Sequence, residues 1–238
     1  MHFQSVALSD RGLNREINED SAWIGSQIIA VADGLGGHNA GDVASTIAVT
    51  TCSETLAALG GAFNPEQLRL AVAEANAAIF AAASSTPRWS GMGTTLVAAA
   101  LCQDRLAVAH VGDSRLYRLR SGRRERLTRD HSFAEDLLAR GYSTAEALRR
   151  AESKALTRAL GPSLEVAIDL ASFEVHEGDV LLLCSDGLTG LLDDDEIATQ
   201  LEAGRLVGRS LDSQVETLIA LANERGGHDN ITVVLALC

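Results

Sequence analysis

The chain has 238 residues, 46% of them hydrophobic and only 4% aromatic, enough for one sizeable core built from Ala, Leu, Val and Ile rather than from rings. Its formal net charge of −12 sets aside nucleic-acid backbones and anionic membranes as partners, because like charges repel. The same charge makes a phosphorylated substrate awkward unless the site carries positive charge of its own, which metal ions would supply.

The first residues, Met1-His2-Phe3-Gln4-Ser5, show neither a basic nor an apolar leader pattern, and no apolar run reaches the length of a membrane span. The expected location is cytoplasmic. Short strands are expected at 3–8, 22–24 and 28–32. Two Ala- and Leu-rich helices follow at 40–59 and 65–83, with Pro65 suited to a first-turn position. Residues 94–101, 105–110 and 115–119 read as successive antiparallel strands joined by tight turns. Residues 132–151 return to a polar helical pattern, and strands resume at 166–173 and 180–184. Helices at 194–203 and 210–224 and a last strand at 231–237 complete the chain. With three prolines and no repeat or low-complexity tract, the chain reads as one α+β domain over 1–238. The four cysteines, Cys52, Cys102, Cys184 and Cys238, are far apart and read as buried free thiols.

The acidic residues fall where strands begin or end. Asp33 closes the apolar run 28–32 and precedes Gly34. Asp186 follows the run 180–185 and precedes Gly187. Asp229 stands just before the last strand, and Glu19 and Asp20 just before the strand around Trp23. Each Asp-Gly pair taken alone is an ordinary turn, Asn18-Glu19-Asp20 alone a solvated loop, and Asp229-Asn230 a strand-entry turn. Together they place carboxylates at the mouths of buried strands, where their mutual repulsion calls for cations. Hard divalent ions, Mg²⁺ or Mn²⁺ rather than Zn²⁺, suit oxygen ligands, and two of them sharing a carboxylate can activate a water. The missing side chains of Gly34 and Gly187 would let backbone come close to a metal or ligand. Arg15, just before the Glu19-Asp20 pair, is a natural ligand for a phosphate and equally an ordinary surface arginine. Asp193-Asp194-Asp195-Glu196 reads as the acidic first turn of a helix rather than a calcium site. The arginines of 118–126 read as a solvated face.

These residues resemble the motifs of the metal-dependent protein phosphatase family (PPM, type 2C) in its compact bacterial form. The matching stretches are GLNREINED from Gly12, VADGLGGHNAGDVAS from Val31, GMGTTLVAA from Gly91, HVGDSRLYRL from His110, LTRDHS from Leu127, LTRALG from Leu156, LLLCSDGL from Leu181 and GGHDNITVVL from Gly226. They occur in the family's order. The resemblance implies a central β-sandwich of two antiparallel sheets flanked by helix pairs, a four-layer αββα arrangement with metals at one end. It implies that Asp33 bridges two Mn²⁺ or Mg²⁺ ions, with the Gly34 carbonyl as a further ligand. Asp186 and Asp229 would complete one shell, with Glu19 and Asp20 acting mainly through waters. Asp113 matches the residue for a third, weaker ion, and otherwise stands in a hairpin turn. Arg15 would hold the phosphate of phosphoserine or phosphothreonine while a bridging water attacks phosphorus in line, with no phosphoenzyme.

Two departures from the family pattern stand out. Leu35 follows the first Asp-Gly where many members outside bacteria carry His. His38, three residues on, is either the general acid or a polar residue near the start of the helix. Residues 133–154 correspond to the family's flap, and Arg150-Ala151-Glu152-Ser153 stands where bacterial relatives often carry His-Pro. The expected partners are phosphorylated proteins, namely a Ser/Thr kinase and its substrates, met by a monomer in a signalling role. A hydrolase of small phosphorylated metabolites and a non-catalytic phosphoprotein-binding module are the competing readings.

Overall fold

A computed structural model describes residues 2–36, 40–60, 64–149 and 155–238. The strands are β1 (Gln4–Asp10), β2 (Ser21–Ile24), β3 (Ile28–Ala32), β4 (Gly34–Leu35), β5 (Gly93–Thr94), β6 (Leu96–Cys102), β7 (Arg105–Val111), β8 (Arg115–Arg120), β9 (Arg123–Arg126), β10 (Asp169–Glu174), β11 (Val180–Cys184) and β12 (Ile231–Leu237). The α-helices are α1 (Gly41–Ala57), α2 (Pro65–Ser85), α3 (Phe133–Ala139), α4 (Thr144–Leu148), α5 (Asp186–Thr189), α6 (Asp194–Leu206) and α7 (Leu211–Glu224).

Two five-stranded antiparallel sheets form, in the orders β1-β12-β11-β8-β9 and β10-β7-β6-β3-β2. Strand alternation sorts the side chains into three apolar layers. Ile29 and Val31 of β3 meet Leu181 and Leu183 of β11 between the sheets. Ile28, Ala30 and Ala32 face the other way, onto Ala44, Ala48 and Cys52 of α1 and Ala71 and Ala75 of α2. Leu182 and Cys184 of β11 pack on Ile197 of α6 and Val215 and Leu218 of α7. The result is the expected αββα stack. Because each sheet is covered on both faces, its central strands read as unbroken apolar runs rather than as alternating ones.

Local chemistry sets the helix starts. Asn64 and Gln67 form a reciprocal capping box with Pro65 in the first turn of α2, and Asp193 with Glu196 does the same for α6. The acidic run at 193–196 is therefore a helix start, as its composition suggests. Cys52, Cys102 and Cys184 are buried and free; burial pushes the Cys52 and Cys184 thiols up to about 12, where they are inert.

Three expectations change. β6 and β7 form the anticipated hairpin, but β7 and β8 lie in different sheets, so the 112–114 turn is a crossover between sheets rather than a hairpin. The helical stretch at 132–151 divides into α3 and α4 around Gly141, whose φ of 90° breaks the helix. Four of the five arginines of 118–126 are paired, not simply solvated: Arg118 with Glu125, Arg120 with Asp179, Arg124 with Asp194 and Asp195, and Arg126 with Asp130, while Arg123 is exposed. The stretch 150–154 lies outside the described residues.

Candidate metal and phosphate site

Strand register gathers the acidic residues at one end of the sandwich. Asp33 follows Ala32, which pairs with Ser21, so Asp20 stands beside it. Val31 pairs with Val97 and Leu96 with Val111, which brings the 112–114 crossover to the same end. In the facing sheet Cys184 pairs with both Val233 and Arg115, so Asp186 and Asp229 arrive there as well. Asp10 pairs with Ile231, and the chain beyond it carries Arg15 back over this end.

Each carboxylate is held by its backbone or its neighbours. Asp33 is fixed from both sides: its amide donates to the Thr95 hydroxyl at 2.9 Å, and its carbonyl accepts from the Thr95 amide at 2.9 Å and the Thr94 hydroxyl at 2.8 Å. The Ser185 hydroxyl donates to Asp20 Oδ2 at 2.7 Å. Asp186 opens α5, behind Ser185 at the N-cap position. Glu19 is 4% exposed, and its Oε1 accepts the Gly41 amide at 3.2 Å where α1 begins. Asn230 clasps the Arg15 loop: its side-chain amide donates to the Arg11 and Ile17 carbonyls, each at 2.9 Å, and its Oδ1 accepts the Glu19 amide at 2.9 Å.

Glycine permits this convergence at two points. A Cβ on Gly34 would lie 2.3 Å from the Gly41 carbonyl oxygen and 2.5 Å from that of Glu19; one on Gly187 would lie 2.0 Å from the Asn230 carbonyl oxygen. The sequence suggested that these glycines make room for a metal or ligand. The space is occupied by neighbouring backbone, so their role is to let separate chain segments meet.

The charges repel one another. Burial, then Asp20, Asp186, Asp113 and Asp229, raises the Asp33 carboxyl well above its ordinary range. Burial, then Asp186 and Asp130, pushes Asp113 up to about 7. Burial raises Asp20 to about 6 against the opposing hydrogen bond from Ser185. A cation at the cluster is Arg15, 43% exposed, whose Nη2 donates to Asp229 Oδ2 at 2.8 Å. Asp20 Oδ1 is buried with no hydrogen-bond partner, a costly condition for a carboxylate oxygen.

An oxygen-rich, self-repelling cluster with an orphaned carboxylate oxygen fits hard divalent cations. Among the described residues no three His, Cys, Asp or Glu side chains form a ready-made cage. Mg²⁺ and Mn²⁺ retain several waters and are commonly held by one or two carboxylates each. His38 lies outside the described residues. The residues that sequence reasoning passed over are the supports: Thr94, Thr95, Ser185 and, beyond its strand-entry turn, Asn230. The motifs GMGTTLVAA, LLLCSDGL and GGHDNITVVL contain all four and were the signal that could have marked them.

The protein phosphatase 2C family model matches residues 16–235. This chain belongs to that family. It is 40% identical over 237 residues to the serine/threonine phosphatase stp of Listeria welshimeri, covering 95% of this chain and 92% of that protein. It is 38% identical to the Mycobacterium tuberculosis phosphatase PstP, covering 97% of this chain and 44% of the longer protein. The crystal structure of the M. tuberculosis phosphatase superposes with a TM-score of 0.89 at 38% identity, over 100% of this chain and 99% of that one. The PstP catalytic domain in complex with two manganese ions gives the same TM-score over 99% and 98% of the two chains. For a 2C phosphatase, the αββα stack described above is the expected scaffold.

Proposed function

We propose that this chain is a metal-dependent serine/threonine protein phosphatase that hydrolyses phosphoserine and phosphothreonine using two Mn²⁺ or Mg²⁺ ions. The observation that carries this reading is the convergence of Asp20, Asp33, Asp113, Asp186 and Asp229 from separate strand ends, with one Asp20 oxygen left unpaired. Asp33, on which Asp20, Asp186, Asp113 and Asp229 all act, would be the carboxylate shared by two ions, with the Gly34 carbonyl as a further ligand. Asp186 and Asp229 would hold one ion, Glu19 and Asp20 would act through waters, and Asp113 would serve a third ion. When bound, the ions supply Lewis acidity and a water activated near neutral pH.

The protein's own residues do the rest. Arg15 and Asp229 neutralise each other in their ion pair; with Asp229 turned to a cation, the Arg15 guanidinium would be free to grip two phosphate oxygens. The exposure of Arg15, at a rim rather than in a closed pocket, suits a phosphate carried on a polypeptide. Asn230 holds the loop that presents Arg15, and Thr94 and Thr95 keep Asp33 from turning away as charge builds.

Phosphate release from a phosphothreonine peptide with Mn²⁺, with Mg²⁺ and with chelator tests the reading. Metal-dependent release that chelator abolishes is the expected result; folded protein that releases none under any of these conditions sinks it. The physiological partners are a Ser/Thr kinase and its phosphorylated substrates, met by a monomeric enzyme in the cytoplasm. Among the described residues no helix is long and apolar enough to cross a membrane. A co-expressed kinase whose phosphorylation the enzyme leaves unchanged would remove that pairing.

A further inference from the structure

The 112–114 crossover has no strand partner of its own, yet Gly112 is buried at a φ of 108°. One residue satisfies both of its backbone groups. The Gly112 amide donates to His131 Nδ1 at 3.0 Å, and the His131 amide donates back to the Gly112 carbonyl at 2.7 Å. Because Nδ1 accepts, the proton of this imidazole is on Nε2, which lies 3.1 Å from Asp169 Oδ2. Arg158 Nη1, also 3.1 Å from Nε2, cannot donate to a protonated nitrogen; it pairs instead with Asp169 Oδ1 at 2.5 Å.

The same residue anchors the chain that leaves for α3 and the chain that returns. The His131 carbonyl accepts the Thr157 amide at 2.8 Å, and the Phe133 amide donates to Ala155 at 2.8 Å. The ring is 5% exposed and packs against His110 with centroids 4.7 Å apart. No hydrogen bond joins His110 to the His131 ring, so that contact is packing alone.

We propose that His131 is a positioning residue that sets the Gly112-Asp113 crossover so that the Asp113 carboxylate faces the cation site. Its Nε2–H ties that crossover, through Asp169 and Arg158, to the segment returning from α3 and α4. The placement of Asp113 is thereby linked to the chain beside the site. This inference rests on the reading of Asp113 as a cation-facing carboxylate.

Two amide substitutions separate the halves of the imidazole: His131→Asn keeps an acceptor near Nδ1, and His131→Gln keeps a donor near Nε2. Mn²⁺ binding by calorimetry, and the Mn²⁺ concentration giving half-maximal phosphate release, are measured for the full chain and both variants. Melting in chelator confirms that each is folded. His131→Asn is expected to stay within about twofold of the unaltered chain, while His131→Gln needs about tenfold more Mn²⁺, as loss of a support behind a metal ligand does. Asp169→Ala, at a half-exposed carboxylate, shifts in the same direction by a smaller factor. Equal Mn²⁺ responses for Asn and Gln, or no shift in any variant, overturn the proposal. If the unaltered chain binds Mn²⁺ but releases no phosphate, the phosphatase reading fails, and the calorimetric order of the variants still decides the role of His131.

Discussion

Asp33 concentrates the conflict between stability and function in one side chain. Its backbone is bonded on both sides to Thr94 and Thr95, which fixes where the carboxylate leaves the chain. Four other carboxylates repel it there. Asparagine has nearly the same shape and carries no charge, so Asp33→Asn removes the repulsion and keeps the packing. In chelator this variant should melt higher than the unaltered protein, by about 1–2 kcal/mol, the usual gain from relieving a strained functional site. Its metal-dependent phosphate release should fall by at least about 100-fold, the upper end of what losing a mere support of a metal ligand costs. A lower melting temperature in chelator would show that the carboxylate is structurally satisfied without metal.

At the scale of elements, Asn230 does as much as any strand to assemble the site. It satisfies two carbonyls and one amide of the 11–19 loop, and it stands between Asp229 and β12. Asn230→Ala leaves the buried Glu19 amide without its acceptor and should cost about 2–3 kcal/mol, since an orphaned buried group costs about 1–3 kcal/mol. Because the loop carries Arg15, KM for a phosphopeptide should rise more than kcat falls. An unchanged melting temperature, or a pure kcat defect, would count against the clasp. Nothing in the sequence around Asn230 distinguishes a clasp from a turn, because its partners lie more than 200 positions away. By contrast β3, β11 and β12 were legible, since burial on both faces left them as apolar runs with carboxylates at their ends. The two-residue strands β4 and β5 are too short to show any period, and β9 was obscured by its arginines. The crossover at 112–114 looked like a hairpin because sequence gives the turn but not which sheet the next strand joins. The acidic ligand set was legible from its position at strand ends, whereas the hydroxyl and amide supports were not, because Ser, Thr and Asn fill turns everywhere.

For the whole molecule, the crowded carboxylates make stability depend on pH in an unusual direction. A carboxyl raised by burial and repulsion holds its proton in the folded state after the unfolded chain has lost it. The folded state then binds more protons, and stability falls as pH rises through the gap. Asp113, at about 7, carries that gap to neutrality, Asp20 reaches about 6, and Asp33 is raised well above its ordinary value by burial and its neighbours. Below about pH 6.5, the ordinary histidine value, two groups oppose them. Burial lowers His110 to about 4 and also lowers His131, so the unfolded chain binds extra protons there and stability rises with pH. As pH climbs past that value the unfolded histidines lose their protons too, so their opposition fades and the carboxylates prevail. In chelator, the melting temperature should therefore decline from pH 6.5 to 7.5, and Asp113→Asn should flatten part of the decline. Saturating Mn²⁺ should abolish it, because a cation bound only by the folded state replaces the protons and adds its own stabilisation. A melting temperature that rises over this range in chelator, or a decline that persists unchanged with Mn²⁺, would mean that the acidic end is not where the cations bind.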